Sequence, residues 1–380
     1  MNTHVFIVNE QTFKLHLEYK FAGIGNKEVL STFLTTTDIS AKNFSPITER
    51  NLVCMIADIS RIQIGDNIIF YLQSTGGQPG RFFGVFKAKT RAFFDENDSD
   101  NFLKKELGKG LSYRILIEPS EHGVFPEGVT EHDYLDSLED KSHPYELCWS
   151  LIYRKLKANR GCTMITDFEF SDLLKKLKYI NKEYSLQSYN YTYDTRLKKI
   201  AENNKDFTYN GRTNSLSIKE RLLYKIETGH AFEVHLQAYI LQNILSLNLL
   251  DFPGMDFWIG NEVSCGVGMQ RIDILIIQEK DNEIFIKVIE LKCVEPTRQI
   301  LDYQLDWYIK WLCDYIIPNY QDKTVEVTPC IVAKKTNDED LIDYMRSKCF
   351  NTTNSNITIK QTEYFAINEN KSKIDFEKIL

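Results

Sequence analysis

One acidic residue near the start of an apolar strand, followed by an acid-x-lysine triplet at the end of the next, constrains this 380-residue chain more than any other feature. The acid is Asp273, in Arg271-Ile272-Asp273-Ile274-Leu275-Ile276-Ile277. The triplet is Glu290-Leu291-Lys292, which closes Phe285-Ile286-Lys287-Val288-Ile289. β-Branched residues dominate both runs and a tight turn over Glu279–Glu283 joins them, so they read as adjacent strands. Side chains alternate between faces along a strand, which puts Glu290 and Lys292 on the same one. Two carboxylates meeting on neighbouring strands make a site for a hard divalent cation, and the lysine adds an ammonium for chemistry. That combination points to phosphodiester hydrolysis with Mg²⁺, for which Mn²⁺ could substitute.

The bulk composition permits this. A chain of this length is expected to form two domains. Its 43% hydrophobic and 26% charged residues are ordinary for a soluble globular protein. The eight cysteines are scattered with no CxxC spacing, which suggests neither a zinc knuckle nor a disulfide framework and fits reduced thiols in a cytoplasm. The start, Met1-Asn2-Thr3-His4-Val5, lacks the layout of a secretion signal. No apolar run approaches the ~18 residues of a membrane span. The net charge of −7 looks wrong for a nucleic-acid partner, but it is unevenly spread: −2 over residues 1–178, +4 over 179–225 and −9 over 226–380. The most acidic stretch is the one expected to hold metal. Local basic stripes, not total charge, decide phosphate contact.

Along the chain, residues 1–178 alternate short β-like runs with turns. Residues 67–73 and 81–88 read as a hairpin, 111–117 as a strand, 146–157 as a helix, and 166–177 as a helix capped by Thr166. A small β-barrel with packed helices is the expected architecture. Residues 179–216, rich in Asn, Lys and Tyr, read as a linker. Ser217-Ile218-Lys219-Glu220 has a capping-box pattern and opens the next helical stretch. Strands follow at about 257–264, 271–278 and 284–291. A helix then covers about 297–315, a strand 325–333, a helix 338–348 and a strand 356–367. Residues 217–380 therefore read as a compact α/β unit.

Four elements of that unit converge: Glu233 on the helix before the strands, Asp273, Glu290 with Lys292, and Gln304-x-x-x-Tyr308 on the helix after them. In this order, the set resembles the RecB-like branch of the PD-(D/E)xK nucleases. It is particularly similar to the nuclease domain of archaeal mismatch endonucleases. Ile272 stands where the wider class loosely keeps a proline. The resemblance implies a restriction-endonuclease-like mixed sheet flanked by helices. It also implies that Asp273, Glu290 and the backbone carbonyl of Leu291 hold Mg²⁺, with Glu233 completing the site directly or through water. Lys292 would orient or deprotonate the attacking water, or stabilise the developing oxyanions. Gln304 and Tyr308 would hold the DNA backbone or position Lys292, and Arg271 and Arg298 are candidate phosphate contacts. His230 and His235 do not share a face with Glu233 and read as surface or packing residues.

Gly65-Asp66-Asn67-Ile68-Ile69-Phe70-Tyr71 followed by Gly80-Arg81-Phe82-Phe83-Gly84-Val85 resembles the EVE/YTH branch of the PUA-like fold, although the tryptophan usual near the EVE start is missing. That resemblance implies a pocket for a modified base. Such a base must be flipped out and stacked on a ring. Candidate rings are Phe21, Phe93, Phe94 and Trp149, with Arg154, Lys155, Lys157 and Arg160 for flanking phosphates. The whole chain is therefore expected to be an α/β, modification-dependent DNA endonuclease acting on double-stranded DNA, as a homodimer when it cuts both strands. A mismatch- or structure-specific repair nuclease, and a non-cleaving nucleic-acid reader, are the alternatives.

Overall fold

The computed structural model describes residues 2–25, 46–95, 101–108, 110–147, 161–250, 256–266, 270–352, 354–370 and 373–380. Its backbone contacts divide the chain into two units: Met1–Lys141 with Cys148–Ser217, and Ser142–Leu147 with Ile218–Leu380. Both mix sheet and helix.

The first unit opens with β1 (Thr3–Val8) and α1 (Glu10–Glu18). Asn9 caps α1: its Oδ1 accepts the Thr12 N–H at 2.9 Å, and Thr12 Oγ1 accepts the Asn9 N–H at 3.1 Å. Next come β2 (Phe21–Ile24), α2 (Pro46–Ser60), β3 (Asn67–Leu72), β4 (Arg81–Ala88), β5 (Phe93–Phe94), β6 (Tyr113–Pro119), β7 (Val129–Thr130) and β8 (Cys162–Ile165). The expected β3–β4 hairpin is present, while β1 runs parallel to β3 and antiparallel to β8. Every residue of β3 is buried, which is why Asn67–Leu72 is an almost unbroken apolar run. The helix α3 (Asp167–Ile180) carries the expected cap, Thr166 Oγ1 accepting the Glu169 N–H at 3.3 Å.

Two expectations need correction here. The first-unit sheet has the strand order β11 (Asn214–Ser215)-β5-β6-β4-β3-β1-β8, with β2 beside β6 and β7 beside β4, and no closed barrel forms among the described residues. The reason lies in β4, which branches. Arg81 and Phe82 pair with β7, whereas Phe86–Ala88 pair with β6, so the sheet forks instead of returning on itself. Second, residues 179–216 are not a bare linker. They form the hairpin β9 (Tyr191–Asp194) and β10 (Lys199–Glu202), then β11 (Asn214–Ser215) against β5. Tyr193 is buried with its ring 5.1 Å from that of Phe13 on α1. The expected helix over 146–157 falls mostly on residues 148–160, outside the described residues; Pro144–Glu146 is a 3-10 turn.

The second unit follows the expected order closely. The helices α4 (Lys219–Glu227) and α5 (Glu233–Asn243) precede β12 (Trp258–Ser264), β13 (Arg271–Lys280) and β14 (Glu283–Leu291). Ser217 does not cap α4; instead the Ile218 N–H donates to Gln242 Oε1 on α5 at 3.1 Å. A continuous helical stretch then runs from a π-helix (Ile300–Leu305) through α6 (Asp306–Trp311) into a second π-helix (Leu312–Ile316). It leads to β15 (Thr324–Ala333), α7 (Glu339–Ser347), β16 (Ile357–Ile359), β17 (Glu363–Asn370) and β18 (Lys373–Lys378). The sheet order is β12-β13-β14-β15-β17-β18, with β16 beside β15. The β12–β13–β14 meander is antiparallel, and β15 joins β14 in parallel, as a helical crossover requires. Among the described residues, no helix is long and apolar enough to cross a membrane.

Candidate functional site

The β13–β14 register creates the site. Ile274 lies across from Ile289, so one step further Asp273 lies across from Glu290. The Leu291 N–H at the end of β14 donates to Asp273 Oδ2 at 2.8 Å. On the other side of Asp273, the β12 register brings Glu262 opposite, between the pairs Asn261–Ile274 and Val263–Ile272. Glu262 has a φ of +50°, an unfavourable backbone for a residue with a Cβ. Strain of this kind is held only where its surroundings impose it, and it concentrates at working sites.

The remaining expected residues close around this pair. Lys292 Nζ is 2.5 Å from Glu290 Oε1. The Tyr308 hydroxyl lies 2.8 Å from the Arg271 carbonyl oxygen and 3.2 Å from Glu290 Oε2. Glu233, the first residue of α5, accepts the Cys293 N–H at 3.3 Å through Oε1. One turn along, the Gln237 amide donates to the Asp273 carbonyl oxygen at 2.9 Å and receives Asn261 Nδ2 at 3.4 Å. Helix α5 is thereby fixed to both strands. Gln304 is half-buried and makes no side-chain hydrogen bond among the described residues.

The electrostatics are those of crowded acids. Burial, then the neighbouring charge of Glu290, pushes the Asp273 carboxyl well above the usual range; Glu262 adds to this and the Leu291 N–H opposes it. Glu290 is also pushed up, chiefly by burial and further by Glu233, against the pull of Lys292 and Tyr308. Burial works against the Lys292 charge, but Glu290, Asp273 and Glu233 outweigh it and raise its pKa. Beside these acids the charged form of Lys292 is favoured, which suits it to offsetting negative charge nearby. Burial, then Glu290 and Asp273, push the Tyr308 hydroxyl far up, so it stays protonated.

Among the described residues, no three His, Cys, Asp or Glu side chains form a ready metal cage. The site instead offers two carboxylates on paired strands, with Glu233 near them. This suits a small hard cation, which keeps part of its water shell and is typically held by one or two carboxylates. Like-charged carboxylates held out of water also gain from a counter-charge placed between them. The donor set fits Mg²⁺ or Mn²⁺.

Other expected residues stand elsewhere. Arg271 is paired with Glu262, Nη1 to Oε2 at 2.7 Å, so it braces the strained residue beside Asp273. Arg298 is exposed, its guanidinium 4.7 Å from the centre of the Tyr344 ring. His235 is buried, as a packing residue should be. Phe21, Phe93 and Phe94 are buried and present no open face for a base, a correction to their expected role. The reason is a polar core beside them. Arg114, itself buried, lies 4.8 Å from the Phe21 ring centre and pairs with Asp95 at 2.6 Å, while Tyr209 bonds the same Asp95. Trp149, Arg154, Lys155, Lys157 and Arg160 lie outside the described residues. The sequence reading missed Glu262, Asn261 and Cys265. Only Glu262 carried a signal, an acid on the strand next to Asp273.

No protein-family model matches the chain, and no curated protein does. Similarity to solved structures is slight. A hypothetical protein from Leishmania major is 9% identical over 47% of this chain and 96% of its own, with a TM-score of 0.30. Human THYN1, solved in complex with 5-methylcytosine-containing DNA, is 10% identical over 47% of this chain and 98% of its own, with a TM-score of 0.26. A Pseudomonas putida protein is 12% identical over 46% of this chain and 99% of its own, with a TM-score of 0.24. Likeness at this level carries no argument about what this chain binds or does.

Proposed function

We propose that the second unit is a restriction-endonuclease-like nuclease that hydrolyses DNA phosphodiesters with Mg²⁺, and that the first unit aims it by reading a modified base. The supporting observation is the meeting of Asp273 and Glu290 on paired strands, with the Lys292 ammonium 2.5 Å from Glu290. Asp273, Glu290, the Leu291 carbonyl and, directly or through water, Glu233 would hold the cation, which lowers the pKa of a bound water and offsets phosphate charge. Lys292 supplies a fixed positive charge for the oxygens that become more negative as the phosphate is attacked. Tyr308 holds Glu290 against the Arg271 carbonyl, and Gln237 holds the Asp273 backbone, so neither acid must reorganise. The reader role rests on the PUA-like sequence run over residues 65–85. Modified cytosine, as in phage DNA, is the proposed target, and two copies of the chain would cut the two strands.

The test is digestion of plain, methylated, hydroxymethylated and mismatched duplexes with Mg²⁺ or Mn²⁺. The expected result is cutting of modified DNA that each of Asp273→Ala, Glu290→Ala and Lys292→Ala reduces by about a thousandfold or more while DNA binding persists. Cutting that survives all three substitutions would remove the site. Equal digestion of modified and plain duplexes would remove the reader, and preference for mismatches would move the reading to repair.

A further inference from the structure

Two large aromatic side chains next to the carboxylate site are left in solvent. Tyr303 is 72% exposed and Trp307 is 43% exposed. They stand four residues apart on the helical stretch 300–311, close to one face of it. Trp307 directly precedes Tyr308, whose hydroxyl contacts Glu290. The Trp307 ring is also fixed. Its Nε1 donates to the Cys265 carbonyl oxygen at 2.6 Å, just past the end of β12 and at the same end of the β12–β13 hairpin that carries Asp273. Gly266 makes room for it: a Cβ there would come within 2.9 Å of the indole Cζ2.

Core tryptophans are enclosed, and a loose surface tryptophan turns freely. Trp307 does neither. An indole locked by a hydrogen bond and a glycine, with a face open beside a phosphate-cleaving centre, has lost its rotamer freedom before any ligand arrives. A flat, apolar, hydrogen-bond-poor partner gains most from such a surface, and nucleobases have such faces. A duplex keeps its bases stacked on one another, so only an unpaired or extruded base could use the ring.

We propose that Trp307, extended by Tyr303, stacks an unpaired nucleobase adjacent to the phosphate held at Asp273 and Glu290. This rests on the nuclease reading of that site and adds a local requirement: one base next to the cut phosphate is extruded from its stack, or already unpaired, and held on the ring.

The test uses the full chain in Ca²⁺, so that binding is read without relying on cleavage. The probes are a short single strand, a duplex with one unpaired 2-aminopurine, and the matching fully paired duplex. The wild type should bind the first two more tightly than the third and quench the 2-aminopurine. Trp307→Ala should weaken binding to the two unpaired probes by roughly five- to hundredfold and abolish the quench. Trp307→Phe should lose less, and Tyr303→Ala, at a largely solvent-exposed position, should lose part of the affinity without disturbing the fold. Gly266→Ala, whose Cβ would meet the indole and whose φ of +122° also disfavours a side chain, should shift the ring and behave like a weaker Trp307→Ala. The proposal is overturned if Trp307→Ala and Tyr303→Ala bind the unpaired probes like the wild type, or if they lose affinity equally for the paired duplex. It is also overturned if the substitutions change only self-association in sedimentation, which would make the rings a protein contact. Cleavage by the wild type with unchanged binding by Trp307→Ala sinks the stacking alone. Stacking without any cleavage in Mg²⁺ sinks the nuclease reading alone.

Discussion

Two buried clusters, one in each unit, handle charge in opposite ways, although the second unit also encloses a matched pair, Lys287 with Glu363 at 2.6 Å. In the first, buried charges are matched. Arg114 meets Asp95 at 2.6 Å and Arg61 meets Asp58 at 3.1 Å, both nearly enclosed, and the buried Asp66 is held by a hydrogen bond to the His4 ring at 3.0 Å. In the second, Asp273, Glu290 and Glu233 share the ammonium of Lys292, while Glu262 beside Asp273 is paired with Arg271. Matched pairs fix a fold, since losing one member leaves a buried charge alone. A mismatched group costs stability in the empty protein and is retained where chemistry needs it. The first unit's ion pairs account for structure, and the second unit's surplus of acids is what supports the proposed metal-dependent chemistry.

Removing one partner from each kind of cluster should pull these behaviours furthest apart. Arg114→Met takes the cation from Asp95, leaving it the Tyr209 hydroxyl and the Arg212 N–H, and thermal or denaturant unfolding should show a loss of about 3–5 kcal/mol. A loss below about 1 kcal/mol would mean that the pair is not enclosed as described.

The His4–Asp66 pair gives a pH signature. Burial outweighs the pull of Asp66 and Asp58 and holds His4 below its ordinary 6.5. Burial alone would raise Asp66, but the His4 hydrogen bond and charge and the Gln63 and Asn2 N–H groups hold it below 3.8. Both folded pKa values are depressed, so protons favour the unfolded chain. Stability is full above pH 6.5 for this pair, falls as His4 titrates in the unfolded state, and falls again below pH 3.8. Unfolding free energies from denaturant titrations should show a slope of up to about 1.4 kcal/mol per pH unit on the upper limb, flattened by His4→Gln. An unchanged slope in that variant would place the titration elsewhere.

In the second unit the sign should reverse. Asp273→Asn keeps an oxygen for the Leu291 N–H but removes a repelled charge, so the metal-free protein should gain on the order of 1 kcal/mol while losing cleavage. A destabilised Asp273→Asn would show that the acids are better compensated than the geometry implies.

The second unit was largely legible in the sequence because its strands are long apolar runs ended by charge. Residues 271–278 and 284–291 read as strands and are observed as 271–280 and 283–291. Their pairing follows from the short turn, and with it the meeting of Asp273 and Glu290. Glu262 was legible only as an acid on the strand next to Asp273; the left-handed backbone it takes inside β12 was not. In the first unit, Tyr191, Tyr193 and Tyr209 hid a packed segment behind a linker-like composition. Their rings supply apolar area that the Asn and Lys content masks, and the Tyr209 hydroxyl reaches Arg114 at 3.0 Å. Phe21, Phe93 and Phe94 could not be told from pocket rings, because a core ring and a stacking ring are the same residue type and only burial separates them.

The most direct measurement is Mn²⁺ binding to the metal-free chain, followed by electron paramagnetic resonance, for the wild type, Asp273→Asn and Glu290→Gln. The surplus of acids predicts a saturable site in the wild type that weakens by about tenfold or more in each variant. A wild type that takes up no ion, or variants that bind as tightly as it does, would contradict the claim that these carboxylates are held for a cation.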